Sequence, residues 1–235
     1  MMQIRPAHSL LTLLTGLLLF GQVLAAGVAG DPAEEGKEFK RIATPLTVET
    51  GKKIEVVEFF WYRCPHCNQL EPALVAWKKK LPADVVVRTV PAVFNEQWLP
   101  GAKIHATLNE MGMLEAMHGK VFDAYHKERL NLNDENALQT WVKKHGLDDV
   151  KFMSIYRSFS TQTQAMKGGQ AARAAGIDGV PALVVDGKYL SSVSMAITEE
   201  RLFEVLNQLI DRARKERGGK SAKRKPASKP VTVAK

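Results

Sequence analysis

Residues 54–67 read IEVVEFFWYRCPHC. The run Ile54 to Tyr62 is rich in β-branched and aromatic side chains. It is also too nearly continuous in hydrophobicity for a half-exposed strand, so it reads as a central, two-face-buried strand. The cysteines Cys64 and Cys67 follow directly. Beyond them Leu70, Leu74 and Trp77 recur at intervals of four and three, the spacing of an amphipathic helix that closes near Leu81 and Pro82. Val85 to Val90 is a second strand, and strand, helix, strand is a parallel-sheet unit. Working outward, about Phe94 to Gly176 reads as helices. Met113, Met117, Val121 and Tyr125 lie one turn apart, as do Leu138 with Trp141 or Val142, and Phe152, Tyr156 and Phe159. Asn133 or Asp134 is a candidate cap and Gly146 a candidate stop. Ala182 to Val185 and Lys188 to Leu190 then flank Asp186-Gly187, a hairpin signal. A last helix starts at Thr198 and carries Leu202, Val205, Leu206 and Leu209. The fold class is α/β, with a helical block interrupting the sheet between its two strand-bearing halves.

The 235 residues are 45% hydrophobic and 25% charged, which excludes collagen, a disulfide scaffold and a wholly disordered chain. The formal net charge of +8 suggests a nucleic-acid or membrane binder only until it is located. Arg212 to Lys235 carries 10 of the 33 Lys and Arg residues and a single acid, Glu216, so the rest of the chain is close to neutral. That tail, residues 212–235, is poor in apolar residues and reads as disordered; solubility, anionic lipid headgroups or acidic proteins are its candidate roles. Nucleic acid is not an expected partner. At the other end Arg5 and His8 precede an apolar run from Leu10 to Leu24 and a string of small residues, the three-part pattern of a cleaved export signal over residues 1–26. A flexible lead-in, residues 27–44, should follow. An exported chain folds where a disulfide can persist.

With only two cysteines a four-thiolate zinc site is excluded. A c-type haem site would need His where Asn68 stands. No paired metal-ligand motif accompanies His66, and a two-residue loop makes a poor structural staple. Redox catalysis fits better. At a helix entrance Cys64 sits near unpaired N–H groups and the positive end of the helix dipole, which favour a thiolate. Pro65 suits the first helical position. His66, and Arg63 upstream, are candidates to add positive charge near the Cys64 sulfur, with Cys67 the shielded partner. A pair whose reduced form is stabilised in this way is a strong oxidant of other dithiols.

Glu58-Phe59-Phe60, Cys64-Pro65-His66-Cys67, the helical block and the later Gly179-Val180-Pro181 resemble the DsbA family of periplasmic thiol:disulfide interchange proteins over most of residues 45–211. The resemblance implies a thioredoxin fold from residues 45–93 and 177–211, with an inserted α-helical domain over 94–176. It implies a monomeric oxidase of exported, unfolded proteins in the periplasm, reoxidised by a quinone-coupled membrane partner of the DsbB kind. No cofactor or metal is expected beyond the Cys64–Cys67 disulfide. Val180-Pro181 corresponds to a cis-proline loop that pairs with an extended substrate segment, although Pro181 also reads as a plain strand start. Glu58 is either a buried acid exchanging a proton with the shielded cysteine or a strand-edge residue reaching solvent. His105, His118, His126 and His145 are expected at the surface or core edge, and the methionines in the core. Trp61, Tyr62 and Arg63 depart from the more apolar approach expected of the family. A reductase or isomerase on the same fold, and a non-catalytic holdase, are the rival functions.

Overall fold

The computed structural model describes residues 31–218, and the chain divides between Asp31 and Pro32, with every element in the second unit. The expected signal and most of the basic tail lie outside the described residues. Strands β1 (Lys40–Arg41), β2 (Ile54–Phe60), β3 (Val85–Pro91), β4 (Ala182–Val185) and β5 (Tyr189–Ser191) form one sheet in the order β1-β5-β4-β2-β3. β2 and β3 are parallel, as the intervening helix α1 (Pro65–Lys78) requires; the other neighbours are antiparallel. Asp186 and Gly187 both take positive φ, 53° and 68°, giving the two-residue turn that matches the strand twist of the β4–β5 hairpin.

All seven residues of β2 are buried, and the alternation of side chains explains why. Ile54 and Val56 pack on one face with Leu70, Leu74 and Trp77 of α1 and with the apolar stripe of the last helix, α8 (Glu199–Glu216). Val57 and Phe59 face the other way, onto Ala172, Ala175 and Ile177. The same period of two places Glu58 beside Val56 and Phe60, on the face that α1 covers.

Between β3 and β4 lie, after a single 3₁₀ turn at Glu96–Trp98, α2 (Leu99–Glu110), α3 (Leu114–His126), α4 (Glu135–Lys144), α5 (Asp149–Tyr156) and α6 (Phe159–Ala174). Asp134 caps α4, accepting from the Ala137 N–H at 2.9 Å. Ser158 caps α6. Phe159 therefore begins a new helix and is exposed, instead of continuing the Phe152–Tyr156 stripe. Gly168 and Gly169 let α6 lie against the end of β3: a Cβ at either would come within 2.2 Å of the Pro91 oxygen or 2.5 Å of the Val93 oxygen. Helix α6 thus covers the sheet as well as bounding the helical block. The short α7 (Val193–Ala196) precedes α8, whose Thr198 cap accepts from Arg201 N–H.

Two terminal expectations need correcting. The lead-in is fastened where it is described: β1 pairs with β5, Phe39 and Ile42 are buried, and Glu38 receives two hydrogen bonds from Arg201 at 2.6 and 2.9 Å. Its polar composition concealed a docking contact that only the partner strand and helix reveal. Residues 212–216 are likewise not disordered, because α8 continues to Glu216. Arg214, 4% exposed, bonds Asp84 and Asp211 there. Among the described residues no helix is long and apolar enough to cross a membrane.

Candidate redox site

Cys64 is the N-cap of α1, extended at φ −76° and ψ 118°, with Pro65 at the first helical position. The cap geometry turns the free N–H groups of the first turn toward its sulfur. Both cysteines are free thiols and both are buried, Cys64 to 7% exposure and Cys67 completely. Their surroundings push them in opposite directions. The Cys67 thiol donates to the Cys64 sulfur, and with the backbone N–H groups of Cys67 and His66 and the His66 charge it outweighs burial, lowering Cys64 to about 6. Burial and the hydrogen bond to Cys64 push Cys67 strongly upward. At neutral pH the reduced pair therefore holds one thiolate, on Cys64, and one thiol, on Cys67.

The chain returns to this point 116 residues later. The Val180–Pro181 peptide is cis, and the Val180 carbonyl lies 3.5 Å from the Cys64 sulfur, close enough to accept its S–H. Pro65 and His66 are exposed beside it. A groove lined by His66, Gln69, Val180, Pro181 and Met195 runs along this face. Arg63 points elsewhere: its guanidinium lies over the Trp61 ring at 5.8 Å, and Trp61 stacks on Trp98 at 4.2 Å. The ring quadrupole attracts the cation to the indole face.

Glu58 is wholly buried, which excludes the reading of a strand-edge residue reaching solvent. Neither carboxylate oxygen has a hydrogen-bond partner among the described residues. Burial first, then the negative charge of Glu71 and of Cys64, raises its pKa well above the usual range. Glu71, on α1 one turn after Cys67, is raised to about 7 chiefly by burial. Sequence reading passed over Glu71, although its i+4 spacing from Cys67 places both on one helix face.

Two of the histidines expected at the surface or core edge are largely buried. His105 and His118 are each 8% exposed, and burial lowers both to about 3, so both rings are neutral. His118 Nδ1 lies 2.8 Å from the Tyr62 hydroxyl, and the His126 ring donates to the Tyr62 carbonyl at 2.8 Å. Tyr62 packs edge-on against Phe60 and Phe122. The Trp61–Tyr62 departure is thus part of a buried cluster joining the end of β2 to the helical block. No local pattern distinguishes these histidines, because their partners, Tyr62 just after β2 and Thr89 in β3, lie outside their own helices.

The DSBA-like thioredoxin domain family matches residues 86–209, downstream of the cysteine pair. A thiol:disulfide interchange protein DsbA of Pseudomonas aeruginosa is 36% identical over 202 residues, covering 86% of this chain and 96% of its own. One of Bordetella parapertussis is 40% identical over 202 residues, covering 84% and 96%. Among solved structures, Pseudomonas aeruginosa DsbA superposes with a TM-score of 0.74 at 38% identity, covering 78% of this chain and 96% of that one. Reduced DsbA1 of Neisseria meningitidis gives 0.71 at 28% identity, covering 80% and 99%.

Proposed function

From the premise that the chain belongs to the DsbA family and is a thiol:disulfide oxidoreductase with a DsbA-like thioredoxin fold, we propose that it runs in the oxidising direction. Its substrates in this reading are unfolded proteins exported to the periplasm. The observation that carries the proposal is the inequality of the two thiols, Cys64 lowered to about 6 and Cys67 raised. Stabilising one thiolate stabilises the reduced pair, so the disulfide tends to pass to other dithiols.

In the first step a substrate thiolate attacks the Cys64 sulfur. A bond forms between substrate and Cys64, the Cys64–Cys67 bond breaks, and Cys67 leaves with the electron pair and takes a proton. Glu58, held protonated by burial, is the proposed source of that proton and its acceptor on reoxidation. A second substrate thiolate then attacks the substrate sulfur of the mixed disulfide and expels Cys64, which is a good leaving group because its thiolate is stabilised. The substrate ends oxidised, and the protein ends with a Cys64 thiolate and a Cys67 thiol. Pro65 fixes the helix start, and His66 contributes charge at the Cys64 sulfur. The Val180-Pro181 loop offers an extended peptide a backbone partner beside that sulfur. Electrons rest on sulfur throughout, so the reaction as written needs no cofactor. Two electrons remain to be collected, and a quinone-coupled membrane protein of the DsbB kind is the proposed acceptor. The protein acts as a monomer in this scheme.

The test is equilibration of the purified mature protein with a glutathione redox series, reading the fraction of Cys64–Cys67 disulfide. An oxidase stays reduced until the buffer is strongly oxidising. Oxidation at ratios typical of thioredoxin would make the protein a reductase on the same frame and overturn the role given to His66.

A further inference from the structure

Behind the cysteine pair the tertiary fold collects three side chains that share no local motif. Glu58 comes from the middle of β2, Glu71 from α1 and His118 from α3; one ligating atom of each lies within 4.8 Å of the other two. Buried polar atoms in folded proteins are nearly always paired. Here both Glu58 oxygens and His118 Nε2 are buried with no hydrogen-bond partner among the described residues. His118 Nε2 faces Glu71 at 3.8 Å, beyond hydrogen-bond reach. Two carboxylates converge on an imidazole, and the nearby cation, Lys78, is engaged with Glu115 at 3.0 Å.

We propose that Glu58, Glu71 and His118 form a binding site for a divalent transition-metal ion of the zinc class. The donor set is right for that class, with two carboxylate oxygens and one imidazole nitrogen leaving a fourth, water-filled position. Two carboxylates balance a doubly charged ion, so a buried cluster that is unfavourable when ionised becomes neutral on binding. Zinc ligands lie about 2.0–2.2 Å from the metal. Drawing three atoms from within 4.8 Å onto one ion takes only small rotations of the two glutamate side chains. The outer contact is in place as well. The Tyr62 hydroxyl, 2.8 Å from His118 Nδ1, can accept the Nδ1–H, which leaves the Nε2 lone pair facing the carboxylates. Entry is from an open groove of about 1100 Å³, whose lining includes Glu71 and His118.

The experiment is equilibrium dialysis of Zn²⁺ alone against the mature protein in its disulfide form, where both sulfurs are bonded and chelation by thiolates is excluded. One zinc per chain is expected, together with a rise in Tm on zinc addition. His118→Gln and Glu71→Gln should each weaken binding at least tenfold and abolish the Tm rise. Tyr62→Phe should weaken it by about tenfold, as loss of an outer-shell partner does. Circular dichroism checks that the variants fold. Should His118→Gln not fold, Glu71→Gln, whose side chain borders the groove, carries the test. Absence of zinc binding by the wild-type disulfide form, or equal binding by folded His118→Gln or Glu71→Gln protein, would overturn the proposal.

Discussion

Raising the pH from 5 to 8 should change the redox equilibrium of this protein in a way fixed by Cys64. With Cys64 at about 6, roughly ten thiolates exist per thiol at pH 7 in the reduced protein. A thiol at the ordinary value of 9.0 would be only about 1% ionised. The reduced form therefore gains a factor of about ten at pH 7, or about 1.4 kcal/mol, which is about 30 mV for a two-electron couple. The sign follows from the lowered value. The extra stability of the reduced form is complete above about pH 9 and is lost as the pH falls through about 6. Cys67 stays protonated throughout, and glutathione remains a thiol below about pH 8. The equilibrium constant against glutathione should be flat below about pH 6, then rise about tenfold per pH unit toward reduced protein. The assay is alkylation-trapped quantification of the reduced fraction at fixed glutathione ratios. Ultraviolet thiolate absorbance of the reduced protein gives the titration midpoint independently. A constant that stays flat to pH 8, with no thiolate midpoint below 8, would refute the reasoning about the cap geometry.

Replacing His66 by Ala should move the Cys64 midpoint up by about half a pH unit and make the pair about threefold less oxidising, because a charge near the thiolate is lost. Arg63→Ala should leave the midpoint in place, since that guanidinium sits on Trp61; thiolate titration checks both. Gly168→Ala should destabilise the protein by about 1–3 kcal/mol in urea unfolding, as its Cβ would be 2.2 Å from the Pro91 backbone oxygen. Gly119→Ala, with nothing within 4 Å of its Cβ in α3, should stabilise by about 0.5–1 kcal/mol in the same assay. Glu38→Gln should cost about 1–2 kcal/mol at pH 7 by loosening the lead-in from α8. Arg201 lowers Glu38 to about 2, so the ion pair contributes above pH 4.5 and is lost as pH falls toward 2. The gap between variant and wild type in acid unfolding should close over that window.

The sequence by itself determined what depends on short-range pattern. A nearly unbroken apolar run marked β2 as a central strand, and two cysteines with two residues between them at a helix start marked the candidate redox site. Asp186-Gly187 and Thr198 marked a turn and a helix cap, and the α4 cap was narrowed to Asn133 or Asp134, because each acts through its own neighbours. Tertiary structure decided whatever depends on a distant partner. Glu58 could have faced solvent until α1 closed over its side of β2. His118 became an interior ligand-like group only when α3 met Tyr62, and Glu71 mattered only once Glu58 lay beneath it. The polar lead-in looked mobile because its anchors, Tyr189, Leu190 and Arg201, stand about 150 residues away. Burial and pKa are set by everything packed around a group, and a linear pattern records only neighbours along the chain.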